Sequence, residues 1–349
     1  MSPDREGTVT DIEPFWLAIL ERFGITSVVS AKPGGGTAAP KILVTTTGGR
    51  YLVRQRRPLS SPEPIVVYDH AVIQAVADAG IPTARPCLST AGRTWVYADG
   101  MAYEAFPFLE GLQPFEPDNL DQLRSAAITL AQFHRATAGL QPPGRKDWPR
   151  EHRALDMIGA LERALAECPA SPEQADQAQR MLECERRLAS QLTDETVASL
   201  PHVITHGDFT PANVGFRGNA VGGVFDFDWV SRQARVLDIG EAAQFFACKR
   251  SAPLDPSDIW SLVAAWQPDT AALRAFLQAY QTVWPLSRAE AEALPLFMAE
   301  TWLGVRVRAM RKVPPEQRLR ILTEGALPPL LWLKENAEWL AHAAMSTAP

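Results

Sequence analysis

The stretch at residues 200–229 restricts the fold of this chain more than any other. It reads LPHVITHGDFTPANVGFRGNAVGGVFDFDW, in which short apolar runs alternate with turn-forming residues. That alternation predicts short strands, and strands this close in sequence usually pair. Asp208 and Asn213 flank one turn, and Asp226 and Asp228 follow a later strand. We therefore expect an amide and two or three carboxylates within a small volume.

Such a group of acids needs a cation, because crowded carboxylates repel each other and lose hydration. A set of oxygen ligands without His or Cys favours Mg2+. Mg2+ binds through one or two carboxylates together with phosphates, which leaves a further acid able to accept a proton from a hydroxyl. The alternative is that Asp208, Asn213 and Asp226 only form turns, as Asp and Asn often do.

Two motifs carry a family resemblance. HGDFTPANV and VFDFDW resemble motifs of the aminoglycoside phosphotransferase, choline kinase and type II homoserine kinase superfamily, over about residues 25–245. The resemblance implies an α+β, protein-kinase-like fold with two lobes. The expected division is a small antiparallel-sheet N-lobe that binds nucleotide, residues 1–109, and a larger, mainly helical C-lobe, residues 110–349. The C-lobe is expected to carry the catalytic loop, the metal site and the acceptor-binding helices.

The same resemblance implies roles for the residues of the two motifs. It makes Asp208 the catalytic base and Asn213 a ligand of Mg2+. Asp226 matches the acid that bridges Mg2+ to the nucleotide phosphates, and Asp228 is a weaker match for metal or substrate. His206 is expected to brace the loop rather than act as a base.

Asp238, in VLDIGEAAQFF, resembles the acid that begins the helix after the metal strand. A helix cap or a loop anchor is its expected role.

The N-terminal third has the pattern of a small sheet with one inserted helix. Residues 11–23 have helical spacing, residues 25–55 contain three strand-like runs separated by glycine turns, and residues 60–80 form an amphipathic pattern. ADG at 98–100 predicts a hairpin turn between two further strands. Residues 119–138 begin the mostly helical remainder.

Arg54 and Asp69 are the expected nucleotide-binding pair. Strand alternation places Arg54 on the same face as Leu52, and Asp69 lies on an apolar helix stripe, where an acid needs a cation. In the resembling family a basic residue on the third strand grips phosphates and pairs with an acid on the next helix. That family more often has Lys and Glu there. The alternative is that Arg54 is an ordinary surface residue.

Further nucleotide contacts are predicted from position. Gly35 and Gly36, in KPGGGTAAPK, could bring backbone amides to phosphates, although the GxxxxGK[ST] spacing is missing and a plain solvent loop is the alternative. Phe108 and Leu109, in PFLEG, match the hinge at which adenine bonds to backbone in the family.

Acceptor recognition is expected from the helical lobe, with Trp229, Trp302 and Arg306 as candidates. Trp302 and Arg306 are four residues apart and share a helix face. Basic residues at the site would favour an acceptor with a carboxylate or phosphate, whereas a solvated basic face would remove that argument.

The composition argues against a nucleic-acid-binding, a disulfide-rich or a membrane-spanning protein. The net charge is −6, with no long basic run, so nucleic acid is not an expected partner. The four cysteines lie far apart without a CxxC pair, which favours a reducing, cytoplasmic location over a disulfide framework or zinc site. No apolar run reaches the roughly 20 residues of a membrane span, and the N-terminus lacks the pattern of an export signal.

The expected function is ATP- or GTP-dependent transfer of the γ-phosphoryl group, with Mg2+, to a hydroxyl of a small molecule. An amino alcohol, a hydroxy amino acid, a sugar and an aminoglycoside-like acceptor all stay open, as does the oligomeric state. The alternative is a pseudokinase that binds nucleotide as a scaffold or sensor, suggested by Arg54 in place of Lys. A protein kinase is less favoured because the HRD, DFG and APE set is missing.

Overall fold

The computed structural model describes residues 12–35, 39–148, 153–252, 255 and 258–346. The chain divides into two compact units. The first contains residues 1–112, 140–147 and 222–228, and the second contains residues 113–139, 148–221 and 229–349. The sequence-based division at 109/110 had assigned both 140–147 and 222–228 to the C-lobe. The structure instead groups them with the sheet, so Asp226 and Asp228 belong to the first unit.

The first unit is built on a five-stranded antiparallel sheet with strand order β1-β2-β3-β5-β4. Its elements are α1 (Pro14–Arg22), β1 (Val28–Pro33), β2 (Lys41–Thr46), β3 (Gly49–Gln55), α2 (Glu63–Asp78), β4 (Val96–Ala98) and β5 (Met101–Pro107). The predicted small antiparallel sheet with one inserted helix is confirmed. Asp99 and Gly100, with φ of 47° and 74°, make the tight turn that the ADG motif predicts for the β4–β5 hairpin.

The core of the first unit lies between α1 and the sheet. Ile19 and Leu20 of α1 pack with Val44, Val53 and Ala105 of the central strands, all almost fully buried. This packing follows from the helical spacing of the apolar residues in α1 and from alternation along the strands. One face of the sheet is therefore occupied by the apolar core. Lys41, Arg54 and Glu104 lie in a polar row on the other face.

The second unit is mainly helical. Its helices are α3 (Leu120–Thr137), α4 (Ala154–Glu167), α5 (Pro172–Gln191), α6 (Asp194–Ala198), α7 (Arg235–Ala247), α8 (Ile259–Val263), α9 (Thr270–Gln281), α10 (Arg288–Met310), α11 (Arg318–Thr323), α12 (Leu327–Glu335) and α13 (Ala337–Met345). Its short strands are β6 (His202–Thr205), β7 (Val214–Arg217), β9 (Ser231–Ala234), β10 (Cys248–Arg250) and β11 (Trp266–Pro268). The strand β8 (Ala220–Val224) begins in this unit and continues into residues of the first.

Two helices form the centre of the second unit. Every residue of α7 is buried, which is the pattern of an interior helix rather than a surface one. The long helix α10 begins with a capping box between Ser287 and Glu290. Glu290 also forms a buried bidentate pair with Arg235 of α7, at 2.5 and 2.9 Å, which fixes the two helices against each other.

Within the described part of the chain, no helix has both the length and the apolar composition needed to cross a membrane. The four cysteines are free thiols.

Candidate active site

The loop after β6 is held by one carboxylate. Asp238, in the first turn of α7, accepts hydrogen bonds from the backbone amides of His206 (2.7 Å) and Gly207 (2.9 Å) and from Nε2 of His134 (2.9 Å). Burial by itself raises the pKa of Asp238, but the bonds from His134 and His206 hold it below the ordinary value. The structure thus places Asp238 where a loop anchor acts.

Gly207 is required by this geometry. Its φ is +74°, and a Cβ there would lie 2.7 Å from the carbonyl oxygen of Trp229. The imidazole of His206 is fully buried between the rings of Phe133 and Phe209, at 5.7 Å from each. His206 therefore packs beneath the loop, and the HGD motif is a folded turn whose next residue is Asp208.

Asp208 and Asn213 are joined directly within the second unit. Nδ2 of Asn213 donates to the backbone oxygen of Asp208 (2.9 Å) and to its Oδ2 (2.8 Å). The amide of Thr210 also donates to the Asp208 carbonyl, so the loop is internally ordered. Because the Asn213 amide nitrogen is used in this way, its Oδ1 is the atom left to bind a cation.

Asp226 follows β8 with a strained backbone. Its φ is +59°, in the left-handed region that Asp tolerates better than most residues. The approach to it is fixed by Val224, whose amide donates to Pro82 O (2.8 Å) and whose carbonyl accepts from Thr83 Oγ1 (2.9 Å). The Asp226 side chain is 28% exposed, so its carboxylate can bind solvent-borne ligands.

Arg54 binds three acids in the first unit. It donates from Nε to Glu104 (2.6 Å), from Nη1 to Asp226 (3.3 Å) and from Nη2 to Asp228 (2.6 Å). Glu104 lies directly opposite Arg54 on β5. Burial disfavours the charged forms of Arg54 and Glu104. Even so, the surrounding acids hold the pKa of Arg54 well above its usual range, and Arg54 and Arg56 hold the pKa of Glu104 well below its usual range.

The expected pairing of Arg54 with Asp69 is wrong. Asp69 is fully buried and accepts from Nη2 of Arg56 and, at 2.7 Å, from Nζ of Lys146. Arg56 shares the strand face of Arg54 two residues further on, and it also reaches Glu104 at 3.1 Å. Arg56 was not among the predicted site residues, although Glu104 within the apolar run MAYEAF indicates a buried acid that needs cations.

Asp228 is less suited to a metal than predicted. It is 5% exposed, and its Oδ1 already accepts from Arg54, with Arg56 at 3.6 Å. An oxygen bound to a guanidinium in a buried pair is poorly available to a second cation. Asp226, with its longer bond to Arg54 and greater exposure, is the better placed of the two.

The remaining nucleotide candidates are Leu52, Gly35, Gly36, Phe108 and Leu109. The Leu52 side chain lies beside Gly34, whose ideal Cβ would be 3.2 Å from Leu52 Cδ1. Gly35 is exposed with φ +70°, and Gly36 lies outside the described residues. The amide of Phe108 donates to Arg50 O at 2.8 Å, so a base could meet this residue only at its carbonyl. Leu109 is half-buried.

Trp302 and Arg306 are wrong as acceptor-binding residues. Both are buried and hydrogen-bond to the backbone: Trp302 Nε1 donates to Ala326 O, Arg306 Nη1 donates to Ile321 O and Glu324 O, and Arg306 Nη2 donates to Val263 O. Arg306 also stacks over the Trp302 ring at 4.1 Å. Their shared helix face points into the core of the second unit, where they tie α10 to its neighbours.

Trp229, in contrast, lines a narrow cavity in the second unit, directly against Gly207. The cavity measures about 20 Å³, which is room for about one water-sized group. Its remaining walls are formed by Trp148, Thr205, Ser231, Gln233, Leu237, Asp238, Glu241 and Thr301. Trp148 and Trp229 meet edge to face at 5.4 Å, and Thr301 is fully buried. Its Oγ1 has no hydrogen-bond partner among the described residues.

Comparisons with known proteins identify the family of this chain. The profile of the phosphotransferase enzyme family matches residues 31–292. A homoserine kinase of Phenylobacterium zucineum strain HLK1 is 26% identical over 297 residues, which cover 82% of this chain and 81% of the relative.

Two solved structures share the fold. The microcompartment-associated aminopropanol kinase superposes with a TM-score of 0.64 at 14% identity, over 96% of this chain and 99% of that one. The amicoumacin kinase hAmiN, in complex with AMP-PNP and Ca2+, superposes with a TM-score of 0.59 at 15% identity. The superposition covers 88% of this chain and 87% of that one. The predicted protein-kinase-like fold is thereby confirmed. The chain belongs to the phosphotransferase enzyme family, as a small-molecule kinase that acts on a hydroxyl group.

Proposed function

We propose that this protein transfers the γ-phosphoryl group of ATP to the hydroxyl of a hydroxy amino acid. The main support for this reaction is the ordered loop, in which Asn213 Nδ2 donates a 2.8 Å hydrogen bond to the Asp208 carboxylate. In this proposal Asp208 orients the acceptor hydroxyl and takes its proton as the phosphoryl group is transferred. Positioning supplies much of the rate in such reactions, and a prefolded loop provides it.

The residues present fit a hard divalent cation. Asn213 Oδ1, in the second unit, and the Asp226 carboxylate, in the first, are each an oxygen donor of the kind that Mg2+ prefers, and we propose each of them as a metal ligand. When bound, the metal would neutralise charge on the transferred phosphoryl group. Support for ATP and a divalent ion also comes from the AMP-PNP and Ca2+ in the hAmiN complex.

The hydroxy amino acid is proposed from the cavity beside Gly207. Glu241, in its wall, lies 3.8 Å from Arg308, whose guanidinium is 5.8 Å from the centre of the Trp229 ring. An α-amino acid carries an ammonium and a carboxylate on one carbon, and these groups are complementary to this acid and this base. A cavity of this size does not admit a sugar ring. The homoserine kinase relative supports the same class.

The pseudokinase alternative has less support. Arg54 in place of Lys suggested it, but Arg54 is bonded to Asp226 and Asp228 rather than missing from the site. The polar groups that phosphoryl transfer requires are all present in the chain.

The direct test incubates the protein with Mg2+ and ATP and either homoserine, aminopropanol or an aminoglycoside, and follows the phosphorylated product by mass spectrometry. We expect product with homoserine and little with the other two. Transfer to aminopropanol alone would contradict the amino acid assignment while keeping the kinase. Nucleotide binding without any phosphorylated product, in a wider small-molecule extract as well, would favour the pseudokinase.

A further inference from the structure

Lys41, at the start of β2, lies in the same row as Arg54 and Glu104. In the antiparallel register Lys41 is opposite Arg54, and Arg54 is opposite Glu104. Residues directly opposite each other on adjacent strands have their side chains on the same face. Lys41 therefore extends the polar row by one strand, on the face that carries Leu52.

Lys41 differs from the neighbouring cations in having no acid bound to it. Arg54, Arg56 and Lys146 each form short ion pairs with carboxylates. Lys41 is half-buried, yet its ammonium makes neither a hydrogen bond nor an ion pair with any residue in the described ranges. Burial lowers the pKa of Lys41, and the nearby charge of Asp226 opposes that shift. A partly desolvated cation without a partner is costly unless a ligand supplies the anion.

The Lys41 side chain also lies against the start of the glycine segment. The amide of Gly34 donates to Lys41 O at 2.9 Å, which closes the β1–β2 hairpin at this point. A Cβ at Gly34 would lie 2.6 Å from Lys41 Cγ, so glycine at this position makes room for the lysine stem. Gly35 follows with φ +70° and open space around it. The backbone of Gly35 and the ammonium of Lys41 thus belong to the same hairpin.

We propose that Lys41 binds the nucleotide phosphates, a task that the β3 position, Arg54, does not perform because its guanidinium is committed to three carboxylates. The inference rests on the proposed function, since it assumes a nucleoside triphosphate as donor. An ammonium offers a compact charge with three donors and suits a phosphate that approaches from the glycine segment. Arg54, in this arrangement, holds Glu104, Asp226 and Asp228 in place.

The test measures the affinity of Lys41→Met for ATP and for adenosine by calorimetry in the presence of Mg2+. Loss of a charge-assisted contact should weaken ATP binding about 10-fold to 100-fold and leave adenosine binding within about two-fold. Lys41→Arg should restore part of the ATP affinity. Lys32→Met is the matched control, because Lys32 is an exposed lysine on the neighbouring strand β1.

Two results would overturn this role. If Lys41→Met binds ATP as tightly as the wild type, the lysine does not bind phosphate, and phosphoryl transfer by the wild type would still uphold the proposed function. If adenosine affinity falls as much as ATP affinity, Lys41 supports the sheet rather than the phosphates. A wild-type protein that binds no nucleotide would contradict both proposals, which separates that case from the first.

Discussion

At the scale of single residues, the Asp208 carboxylate is the group on which we expect turnover to depend. Asp208→Asn removes the proton acceptor but keeps the shape of the side chain, and the backbone contacts of the loop are unchanged. We expect turnover to fall by about 100-fold or more, while the affinity for ATP stays close to that of the wild type. Steady-state kinetics and calorimetry on the same preparation check this. A variant with near wild-type turnover would remove Asp208 from the mechanism.

Thr301 is predicted to bind the acceptor. Its buried hydroxyl lacks a partner among the described residues and lines the cavity, so Thr301→Val removes a group that the free protein does not use. We expect the melting temperature to hold or rise, and the KM for the acceptor to rise about 10-fold with the KM for ATP unchanged.

A matched control for Thr301 exists in the same unit. Thr137 is equally buried, but its hydroxyl donates to Ile204 O at 2.7 Å. Thr137→Val should cost about 1 kcal/mol of stability without changing acceptor KM. If Thr301→Val behaves like Thr137→Val, the Thr301 hydroxyl is structural and the cavity is not the acceptor site.

At the scale of elements, the segment 140–147 is a clamp between α2 and the turn that contains Asp226 and Asp228. Lys146 Nζ donates to Asp69 Oδ1 on α2 (2.7 Å) and to the backbone oxygen of Asp228 (2.8 Å). Gly144 fits against α2 so closely that a Cβ would lie 2.2 Å from Pro64 O. The segment contains no helix or strand, yet it supplies a fully buried cation to the first unit.

Lys146→Met should therefore destabilise the protein by about 3 kcal/mol, because a buried carboxylate loses one of its two cations. Gly144→Ala should destabilise it by a different route, the steric conflict with Pro64. The neighbouring Arg145→Met is the control: Arg145 is largely exposed and its pair with Asp147 contributes little. Denaturant unfolding of the three variants measures this. Equal midpoints for Lys146→Met and Arg145→Met would show that the clamp does not hold the unit together.

At the scale of the whole molecule, stability should depend on one buried acid far from the site. Glu185 of α5 is 2% exposed, its Oε2 has no partner among the described residues, and burial with the nearby Glu162 raises its pKa to about 8, against the effect of Arg186. A carboxyl whose folded pKa is raised stays protonated in the folded state and ionises on unfolding. Its stabilising effect is therefore complete below the ordinary pKa and is lost as the pH rises through about 8.

Glu185→Gln should remove this dependence. The wild type should lose stability relative to the variant as the pH rises from about 5 to about 8, with a slope of up to about 1.4 kcal/mol per pH unit. Urea unfolding of both proteins over this range gives the difference directly, since other titrating groups cancel. Parallel pH profiles would mean that Glu185 is ionised in the folded protein.

The sequence predicted most of the secondary structure because that information is local. The turn at Asp99 and Gly100 and the helical spacing of Ile19 and Phe23 each depend on a few neighbouring residues. The family resemblance supplied the kinase-like fold, and the family match confirms it.

What the sequence by itself determined was the set of chemical groups and their local geometry: the HGD turn, the amide five residues on, and the acid after the next strand. The choice of partner was decided only by the tertiary structure. Asp69 binds Arg56 and Lys146 rather than Arg54. The side chains of Trp302 and Arg306 donate hydrogen bonds to backbone carbonyls within the core. The physical reason is that a buried charge pairs with whichever opposite charge packing brings within about 3 Å. That choice depends on strand register and on loops distant in sequence, which no local pattern encodes.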